Sequence, residues 1–225
     1  MKPNISVIIP AYNEAKRVVK TIKPLQMIKE INHIFVVDDG SCDATGIEVL
    51  KLEGVNLLQH QINQGKGAAL LTGVKEAIKL SDIIVFLDAD LGDSSVEIVK
   101  LIDPILKNEA DVTIAKFPPA KRKGGFGLVK GLVKLGLKIH TGKVISSALS
   151  GQRAFKKEVL QEVNLNAHGY GIELGMTIDL LRKDFRIVEV EVNMTHHETG
   201  RNFKGFYHRG RQFWQIFKVI IKKRK

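Results

Sequence analysis

The sequence predicts an α/β fold, with a mostly parallel central sheet flanked by helices in a single domain of 225 residues. Two observations predict it. Short apolar runs alternate with longer segments of helical spacing through the first half of the chain, which indicates a layered domain with right-handed crossovers. The runs are nearly continuous in apolar character, as is typical of strands buried on both faces of a parallel sheet.

The first half of the chain supplies five strands and four helices. The predicted strands span residues 5–10, 33–39, 55–60, 82–88 and 111–117. The predicted helices span residues 14–30, 43–53, 66–80 and 94–107. Ser94 and Glu97 match a capping box, in which two side chains bind free N–H groups at a helix start. We therefore expect the fourth helix to be capped by these two side chains.

The second half of the chain has a less regular pattern. Residues 116–127, KFPPAKRKGGFG, contain two prolines, three glycines and four cations, and they predict a mobile loop. Helices are predicted at 128–141 and 171–183, joined by a connecting segment that includes SSALSGQRAF. Residues 186–194 alternate as a half-exposed strand does. The last 20 residues form a basic helical pattern.

The composition excludes several classes of protein. Cys42 is the single cysteine, so an internal disulfide and a cysteine-based metal cluster are excluded, and a reducing compartment fits. No stretch approaches the roughly 18 consecutive apolar residues of a spanning helix. The N-terminus lacks the pattern of a secretory signal. We expect a cytoplasmic protein that can attach peripherally to the inner face of a membrane.

The formal net charge of +11 predicts an anionic partner, whether nucleic acid, a membrane surface or a phosphorylated substrate. The cations concentrate at residues 116–130 and 201–225. A nucleic-acid-binding protein would interleave aromatic residues with cations on one face. Aromatic residues make up only 6% of this chain, and acidic residues occupy the expected ligand edge. We therefore expect no nucleic-acid partner.

Polar clusters follow three of the predicted strands: PAYNE, DDGS and DADLGD. Ligands of an open parallel sheet bind beyond the C-terminal ends of its strands, so these clusters are expected to share one edge. In an extended segment Asp88 and Asp90 would point the same way and repel each other unless a cation lay between them. Mg²⁺ favours such oxygen ligands together with substrate phosphates. The alternative is that Asp88 is a loop residue and Asp93 a helix cap.

Two kinds of glycine-rich phosphate loop do not occur in the sequence. There is no G-x-x-x-x-G-K-[ST], and the first strand leads into PAYNE instead of G-x-G-x-x-G. PAYNE also argues against a nucleotidyltransferase, whose first strand usually leads into a glycine- and arginine-rich loop. The segment NQGKGAAL (63–70) places Lys66 between glycines at a helix start, which suits an anionic ligand. The alternative is that its glycines serve only the turn.

With these clusters in this order, the sequence resembles the family 2 glycosyltransferases of the GT-A fold. Single motifs of this kind are weak signals, but seven in order are specific. The matching segments are SVIIPAYNEA, VVDDGSCDAT, NQGKGAAL, FLDADL, SGQRAFKKEVL, GYGIELGM and MTHHETGRN. The resemblance implies a Rossmann-like nucleotide-sugar-binding half, residues 1–117, and an acceptor half, residues 118–225, that ends in a basic helix.

The resemblance implies a UDP- or GDP-linked sugar donor and a divalent metal, Mg²⁺ or Mn²⁺, held by the D-x-D pair. Asp90 is expected to bind the metal directly, and Asp88 to face the ribose or the metal. Asp39 is expected to contact the base, with Asp38 supporting the turn. The other residues implied to line the nucleotide-sugar site are Pro10, Ala11, Tyr12, Glu14, Lys66, Ala89, Gln152 and Arg153.

A late histidine completes the metal or pyrophosphate site in many of these enzymes. The pattern H-x-x-T-G-R favours His196 over His197 and makes Arg201 a further phosphate contact. The metal and Arg201 would neutralise the pyrophosphate as it leaves. A hydroxyl acceptor would also need a carboxylate base, for which Glu173 is the candidate, the alternative being a surface charge on a helix. A phosphate acceptor is already ionised and needs no strong base.

Two anionic acceptors suit the sequence. A polyprenyl phosphate at the membrane, as used by enzymes resembling dolichol-phosphate mannose synthase, fits the basic loop and tail. The segments SGQRAF and GYGIELG are also similar to glucosyl-3-phosphoglycerate synthases, which use a small phosphorylated acceptor. The tail carries an apolar stripe that fits either an anionic bilayer or packing on the domain. Its residues are Phe206, Phe213, Trp214, Phe217, Ile220 and Ile221. The oligomeric state stays open, a homodimer included.

Overall fold

The computed structural model describes residues 2–118, 128–163, 165, 171–195, 214, 216–221 and 223. Several predictions fall on other residues. The predicted loop at 119–127 lies outside the described residues, and so do His196, His197 and Arg201. The same holds for Phe206 and Phe213 of the apolar stripe.

A seven-stranded sheet forms the centre of the described structure, in the order β3-β2-β1-β4-β6-β5-β7. The strands are β1 (Ile5–Ala11), β2 (His33–Asp38), β3 (Val55–Gln59), β4 (Ile83–Phe86), β5 (Val112–Lys116), β6 (Arg153–Lys156) and β7 (Ile187–Glu191). Every pairing is parallel except those of β6, which runs antiparallel to β4 and β5. The predicted α/β fold with a mostly parallel sheet is confirmed.

Helices connect the strands and cover the sheet. They are α1 (Val18–Gln26), α2 (Thr45–Leu50), α3 (Lys66–Ala77), α4 (Ile98–Leu106), α5 (Leu128–Thr141), α6 (Lys157–Glu162) and α7 (Ile172–Arg182). The first helix begins later than the predicted residue 14, because side chains between β2 and the first turn of α2 bind the chain before it. Thr45 and Asp43 accept hydrogen bonds from the N–H groups of Glu14 and Ala15.

The predicted capping box before α4 is wrong. Residues Gly92–Glu97 form a 3₁₀-helix, and α4 begins only at Ile98. The Ser94 hydroxyl donates to the Leu91 carbonyl at 2.6 Å. The Glu97 carboxylate accepts a hydrogen bond from the Asn193 N–H at 2.8 Å. The Glu97 side chain therefore binds Asn193, which is distant in sequence, instead of an N–H group at the helix start.

Strand β6 lies within the segment that the sequence predicts as a connection. It has only four residues, with Arg153 and Lys156 at its ends, so it lacks the apolar pattern of the other strands. Because β6 is antiparallel, it begins at the edge of the sheet where β4 ends, and Arg153 pairs with Phe86. Residues 150–152 consequently lie beside the residues that follow β4.

Apolar clusters cover both faces of the sheet, and a third cluster joins α5 and α7 to the C-terminal helical segment, residues 214 and 216–221. Ile216 is fully buried in this third cluster. Ile220 lies against Gly136, where an added Cβ would approach its Cδ1 to 2.6 Å. Part of the C-terminal stripe therefore packs on the domain. Among the described residues, no helix combines the length and apolarity needed to cross a bilayer.

Candidate functional site

The polar clusters after β1 and β2 meet at one edge of the sheet, as predicted. The two strands are neighbours, with Ala11 paired with Asp38. The Asp39 N–H donates to the Ala11 carbonyl at 2.8 Å. The Asn13 N–H donates to the Ser41 hydroxyl at 2.9 Å. Parallel strands end at the same edge, so the chain segments after them can bind each other directly.

Asp39 is a buried carboxylate that fixes the loop before α3. It accepts hydrogen bonds from the N–H groups of Gln64 and Gly65, at 3.0 and 2.7 Å, and from His60 Nδ1 at 2.7 Å. His60, which sequence reasoning missed, also binds the Thr72 hydroxyl. Asp38 accepts a hydrogen bond from the Ser41 N–H at 3.0 Å. Asp39 thus determines where α3 begins, and Lys66 is the first residue of that helix.

Lys66 lies between two carboxylates. Its Nζ is 2.7 Å from Asp88 Oδ1 and 3.1 Å from Glu173 Oε1. Burial alone would lower the pKa of Lys66, but attraction to the two carboxylates outweighs it and raises that pKa. The Glu173 side chain is only 13% exposed, so the alternative of a surface charge is wrong. The described edge therefore holds two carboxylates around one fixed cation.

The segment before β6 completes this arrangement. Gln152 is fully buried, and its amide donates to Asp88 Oδ2 at 2.6 Å. A Cβ added to Gly151 would lie 2.5 Å from Lys66 Nζ and 3.2 Å from either Asp88 carboxylate oxygen. Asp88 thus has Lys66 on one oxygen and Gln152 on the other, and only a glycine leaves room for the lysine.

Arg153 is fully buried and binds backbone carbonyl groups. Its Nε donates to Ser150, and its Nη2 donates to Ala148 and to Glu173. Burial lowers the pKa of Arg153 to about 10. No partner of Nη1 lies among the described residues. The described contacts make Arg153 a support for the segment before β6 and for the first turn of α7, whereas a contact to the nucleotide sugar stays a prediction.

The D-x-D pair is not extended. Strand β4 ends at Phe86, and Ala89 and Asp90 form a turn in which the Ala89 carbonyl accepts a hydrogen bond from Thr21. The expectation that the two aspartates point the same way along a strand is therefore wrong. Asp88 lines the cavity that also contains Lys66, whereas Asp90 lines a separate one.

The cavity at Asp90 has a volume of about 340 Å³ and a cationic wall made by Lys16, Arg17 and Lys20. A hydrogen bond to Glu14 raises the pKa of Arg17, and the negative charge of Asp90 adds to this effect. Thr195, the last residue of the described segment 171–195, also lines this cavity. This cavity combines two carboxylates, Asp90 and Asp93, with several cations, as a site for a metal and phosphates requires.

The larger cavity, of about 860 Å³, extends from Asp88 and Glu173 along α5 and the segment before β6. Part of its wall is apolar, made by Phe117, Pro118, Val133, Val144, Ile145 and Leu149. Lys130 and Lys134, one helical turn apart on α5, add positive charge. The sequence analysis counted Lys130 among the basic residues 116–130 but proposed neither lysine as a site residue, although their spacing within the predicted helix was a usable signal.

Glu189 of β7 anchors one wall of this cavity. Its carboxylate accepts hydrogen bonds from the N–H groups of Ser146 and Ser147, at 3.2 and 2.6 Å, and from the Ser146 hydroxyl at 2.7 Å. Burial opposes ionisation of Glu189, but these hydrogen bonds lower its pKa below the ordinary value. A residue of the sheet, Glu189, thus holds the cavity wall that contains Ser146 and Ser147.

The predicted nucleoside pocket lies at the end of β1. Tyr12 is 46% exposed, and Pro10 is half-buried, so both remain accessible. Ala11 and Ala89 are buried. The Glu14 carboxylate accepts a hydrogen bond from Arg17 Nε at 2.5 Å. Of these five side chains, Tyr12 and Pro10 can meet a flat base without a rearrangement.

The carboxylates at this edge suit a divalent ion. Asp90 offers the hard oxygen ligands that Mg²⁺ and Mn²⁺ prefer, whereas both carboxylate oxygens of Asp88 accept hydrogen bonds from Lys66 and Gln152. Within the part of the chain that the structure describes, no group of three or more His, Cys, Asp or Glu residues could hold a metal ion. Mg²⁺ usually binds one or two carboxylates and completes its coordination with substrate phosphates and water, so this donor set fits.

The fold and this edge together define the class of protein. A crystal structure of glucosyl-3-phosphoglycerate synthase from Mycobacterium tuberculosis, in complex with Mn²⁺, UDP and phosphoglyceric acid, matches with a TM-score of 0.81. The match covers 98% of this chain and 78% of that one, at 23% identity. The chain thus has the GT-A fold of a glycosyltransferase, and the predicted fold is confirmed.

The chain belongs to glycosyl transferase family 2, whose family model matches residues 6–163. An uncharacterised protein of Methanocaldococcus jannaschii is 30% identical over 234 residues, covering 98% of this chain and 91% of its own length. The UDP-N-acetylglucosamine–dolichyl-phosphate N-acetylglucosaminyltransferase of Methanococcus voltae is 32% identical over 179 residues. The match covers 70% of this chain and 71% of the length of that relative. The resemblance noted in the sequence is therefore confirmed, and the chain is a glycosyltransferase.

Proposed function

We propose that this glycosyltransferase transfers a hexose from a UDP- or GDP-linked sugar to a polyprenyl phosphate at a membrane surface, with Mg²⁺ or Mn²⁺ as cofactor. The observation that carries the proposal is the larger cavity, which joins an apolar wall and two lysines to the carboxylates at the sheet edge. A lipid phosphate needs both features, because its chain is apolar and its head is anionic. The relative from Methanococcus voltae, named for dolichyl phosphate, supports this acceptor class.

The donor would lie across the ends of β1, β2 and β4. Tyr12 and Asp39 would bound the nucleoside, while Asp90, Asp88 and His196 would hold the metal. When bound, the divalent ion would supply positive charge for the diphosphate leaving group. Arg201 would add a further cation to the departing phosphate.

The acceptor would occupy the larger cavity, with its phosphate near Lys130 and Lys134. One phosphate oxygen forms the new bond to the sugar carbon, and the bond from that carbon to the donor diphosphate breaks. An ionised phosphate needs no proton removed, so Glu173 would hold Lys66 in place instead of acting as a base. With a hydroxyl acceptor, Glu173 would be the carboxylate that takes the proton.

The second candidate is a small phosphorylated acceptor such as 3-phosphoglycerate. The fold match favours it, since the matching structure contains phosphoglyceric acid. The lysines of α5 would suit either acceptor. A small polar acid, however, has no apolar part that would contact the apolar wall of the larger cavity.

A product assay decides between the two acceptors. UDP- and GDP-linked hexoses are incubated with polyprenyl phosphate in vesicles or with 3-phosphoglycerate, with Mn²⁺ or with EDTA. We expect metal-dependent transfer to the lipid. In the double variant Lys130→Met/Lys134→Met, the KM for polyprenyl phosphate should rise at least tenfold. Lys75→Met, an exposed lysine of α3, is the matched control. Transfer to 3-phosphoglycerate alone would establish the second candidate, and no transfer with any donor would overturn both.

A further inference from the structure

Large apolar side chains are exposed on two helical segments that pack together. Leu135 and Ile139 of α5 are each 56% exposed. Trp214, Phe217 and Ile221 of the C-terminal helical segment are 61%, 38% and 56% exposed. Single exposed apolar residues are normal on soluble proteins, but a group of five on adjoining helices marks an interaction surface. We call these five residues the apolar face.

The two segments adjoin through a defined contact. Ile220 packs on Gly136, and the His140 ring Nε2 donates to the Ile220 carbonyl at 2.9 Å. Residues of the apolar face directly adjoin this contact in the chain: Leu135 precedes Gly136, Ile139 precedes His140, and Ile221 follows Ile220. The rings of Trp214 and Phe217 meet edge to face, with centroids 5.9 Å apart. The exposed residues therefore flank one helix–helix contact instead of scattering over the surface.

Cations accompany the apolar face on both helices. Lys138 of α5 and Lys218 of the C-terminal segment are exposed. Apolar and aromatic residues on one side of a helix, with lysines beside them, are typical of helices that lie in a membrane interface. Two copies of this chain would bring like charges together, since the chain carries a net charge of +11. Charge complementarity thus favours an anionic surface over a second copy.

We propose that the apolar face docks on an anionic phospholipid bilayer, with Trp214 and Phe217 in the interface and the lysines against the headgroups. The inference rests on the proposed function in one respect: α5 also carries Val133, Lys130 and Lys134 of the larger cavity. Docking α5 on the bilayer brings that cavity to the surface in which a polyprenyl phosphate is embedded. The docking surface thus belongs to two helices, whereas the apolar stripe predicted from the sequence lies in the tail alone.

Co-sedimentation with vesicles tests the proposal. Vesicles of phosphatidylcholine with phosphatidylglycerol are compared with vesicles of phosphatidylcholine alone. We expect the wild type to bind the anionic vesicles at least tenfold more tightly. The double variants Leu135→Glu/Ile139→Glu and Phe217→Glu/Ile221→Glu should each weaken that binding at least tenfold. The matched control is Ile47→Glu/Leu50→Glu on α2, whose side chains are 61% and 70% exposed and which should bind as the wild type does.

Two results would overturn the docking proposal. One is a wild type that ignores anionic vesicles, or face variants that bind them as well as the control does. The other is a dimer, detected by light scattering after size exclusion, that the α5 variant disrupts without any vesicle binding by the wild type. That result would make the apolar face a contact between copies.

A paired activity assay separates this inference from the proposed function. Polyprenyl phosphate is supplied either in detergent or in anionic vesicles. The face variants should keep their rate on the detergent-solubilised acceptor within about twofold and lose at least tenfold on the vesicles. A wild type that binds vesicles through the apolar face, but transfers sugar to neither form of the acceptor, would uphold the docking surface and overturn the proposed function.

Discussion

At one edge of the sheet Lys66 lies between Asp88 and Glu173, and at the opposite edge Asp111 lies between Lys156 and Arg186. Both are clusters of three charges built from contacts of about 3 Å. The first contains two carboxylates and one cation, and it lines a cavity at the ends of the parallel strands. The second contains one carboxylate and two cations.

The second cluster closes the amino-terminal side of β5 and β7. Asp111 directly precedes β5 and Arg186 directly precedes β7, while Lys156 ends the antiparallel β6. The Arg186 N–H and guanidinium both donate to the Asp111 carboxylate, at 3.0, 3.1 and 2.8 Å. The comparison teaches that the same ion-pair chemistry lines a cavity at one strand end and joins strands at the other.

The largest expected effect is a loss of activity when the first cluster is changed. Asp88→Asn removes the negative charge beside Lys66 and replaces one of the two acceptor oxygens that bind Lys66 and Gln152 with an NH₂ group. We expect the rate of sugar transfer to fall by about 100-fold or more. Asp111→Asn is the matched control and should keep the rate within about twofold. An Asp88→Asn enzyme with full activity would show that the first cluster is structural too.

The next effect is on stability at the second cluster. Asp111→Asn leaves Lys156 and Arg186 close together without a neutralising charge. We expect the free energy of unfolding to fall by about 2 kcal/mol. Urea denaturation of the variant and the wild type measures it. Equal midpoints and equal slopes would contradict the structural role of Asp111.

The second cluster also predicts a pH dependence. Hydrogen bonds from Arg186 hold the pKa of Asp111 well below its usual value. A carboxylate with a depressed pKa in the folded state stabilises the protein above its unfolded-state pKa, near ~3.9, and that stabilisation is lost as the pH falls through the folded-state value. The advantage of the wild type over Asp111→Asn should therefore be constant near neutral pH and shrink below about pH 4. A difference that persists unchanged at pH 2 would contradict this account.

A smaller effect is expected where the first cluster is most tightly packed. Gly151→Ala would place a Cβ 2.5 Å from Lys66 Nζ, so the lysine must shift. Misplacing a group at a reacting centre by a fraction of an ångström is costly, and we expect about a tenfold loss in kcat/KM. Gly131→Ala, where an added Cβ meets nothing within 4 Å, should stay within about twofold. Equal kinetics of the two variants would show that Lys66 is not held by this contact.

The smallest effect is expected at the wall of the larger cavity. Glu189→Gln weakens the hydrogen bonds to Ser146 and Ser147, so we expect the KM for the acceptor to rise about threefold with kcat unchanged. Glu191→Gln on the same strand, whose side chain is 81% exposed, is the matched control. A change in kcat instead of KM would contradict the role of Glu189 in holding the acceptor wall.

The sequence predicted the first cluster only in part. The five strands of the first half are apolar runs followed by polar residues, so their number and the edge that carries the ligand site follow from local pattern. The pairing of Lys66 with Glu173 joins residues 107 positions apart. This pairing depends on the antiparallel strand β6. That strand is too short and too charged to show the alternation of apolar residues that predicts a strand. A single sequence holds no local record of such a contact.

The errors have the same origin. The capping box failed because Asn193, almost 100 residues further along the chain, binds Glu97. The aspartates at positions 88 and 90 line different cavities because β4 ends before them, and periodicity does not give the last residue of a strand. Local rules therefore predicted which residue types gather at the edge, and tertiary contacts determined which way each one faces.

Calorimetric titration of UDP and GDP tests the central claim most directly, namely that the edge with Asp88 and Asp90 binds a nucleotide diphosphate together with a divalent ion. The account predicts binding of at least one nucleotide in the presence of Mn²⁺. It predicts a Kd at least tenfold weaker in EDTA, and the same loss in Asp90→Ala with Mn²⁺ present. Nucleotide binding that is equally tight without metal and in Asp90→Ala would contradict it.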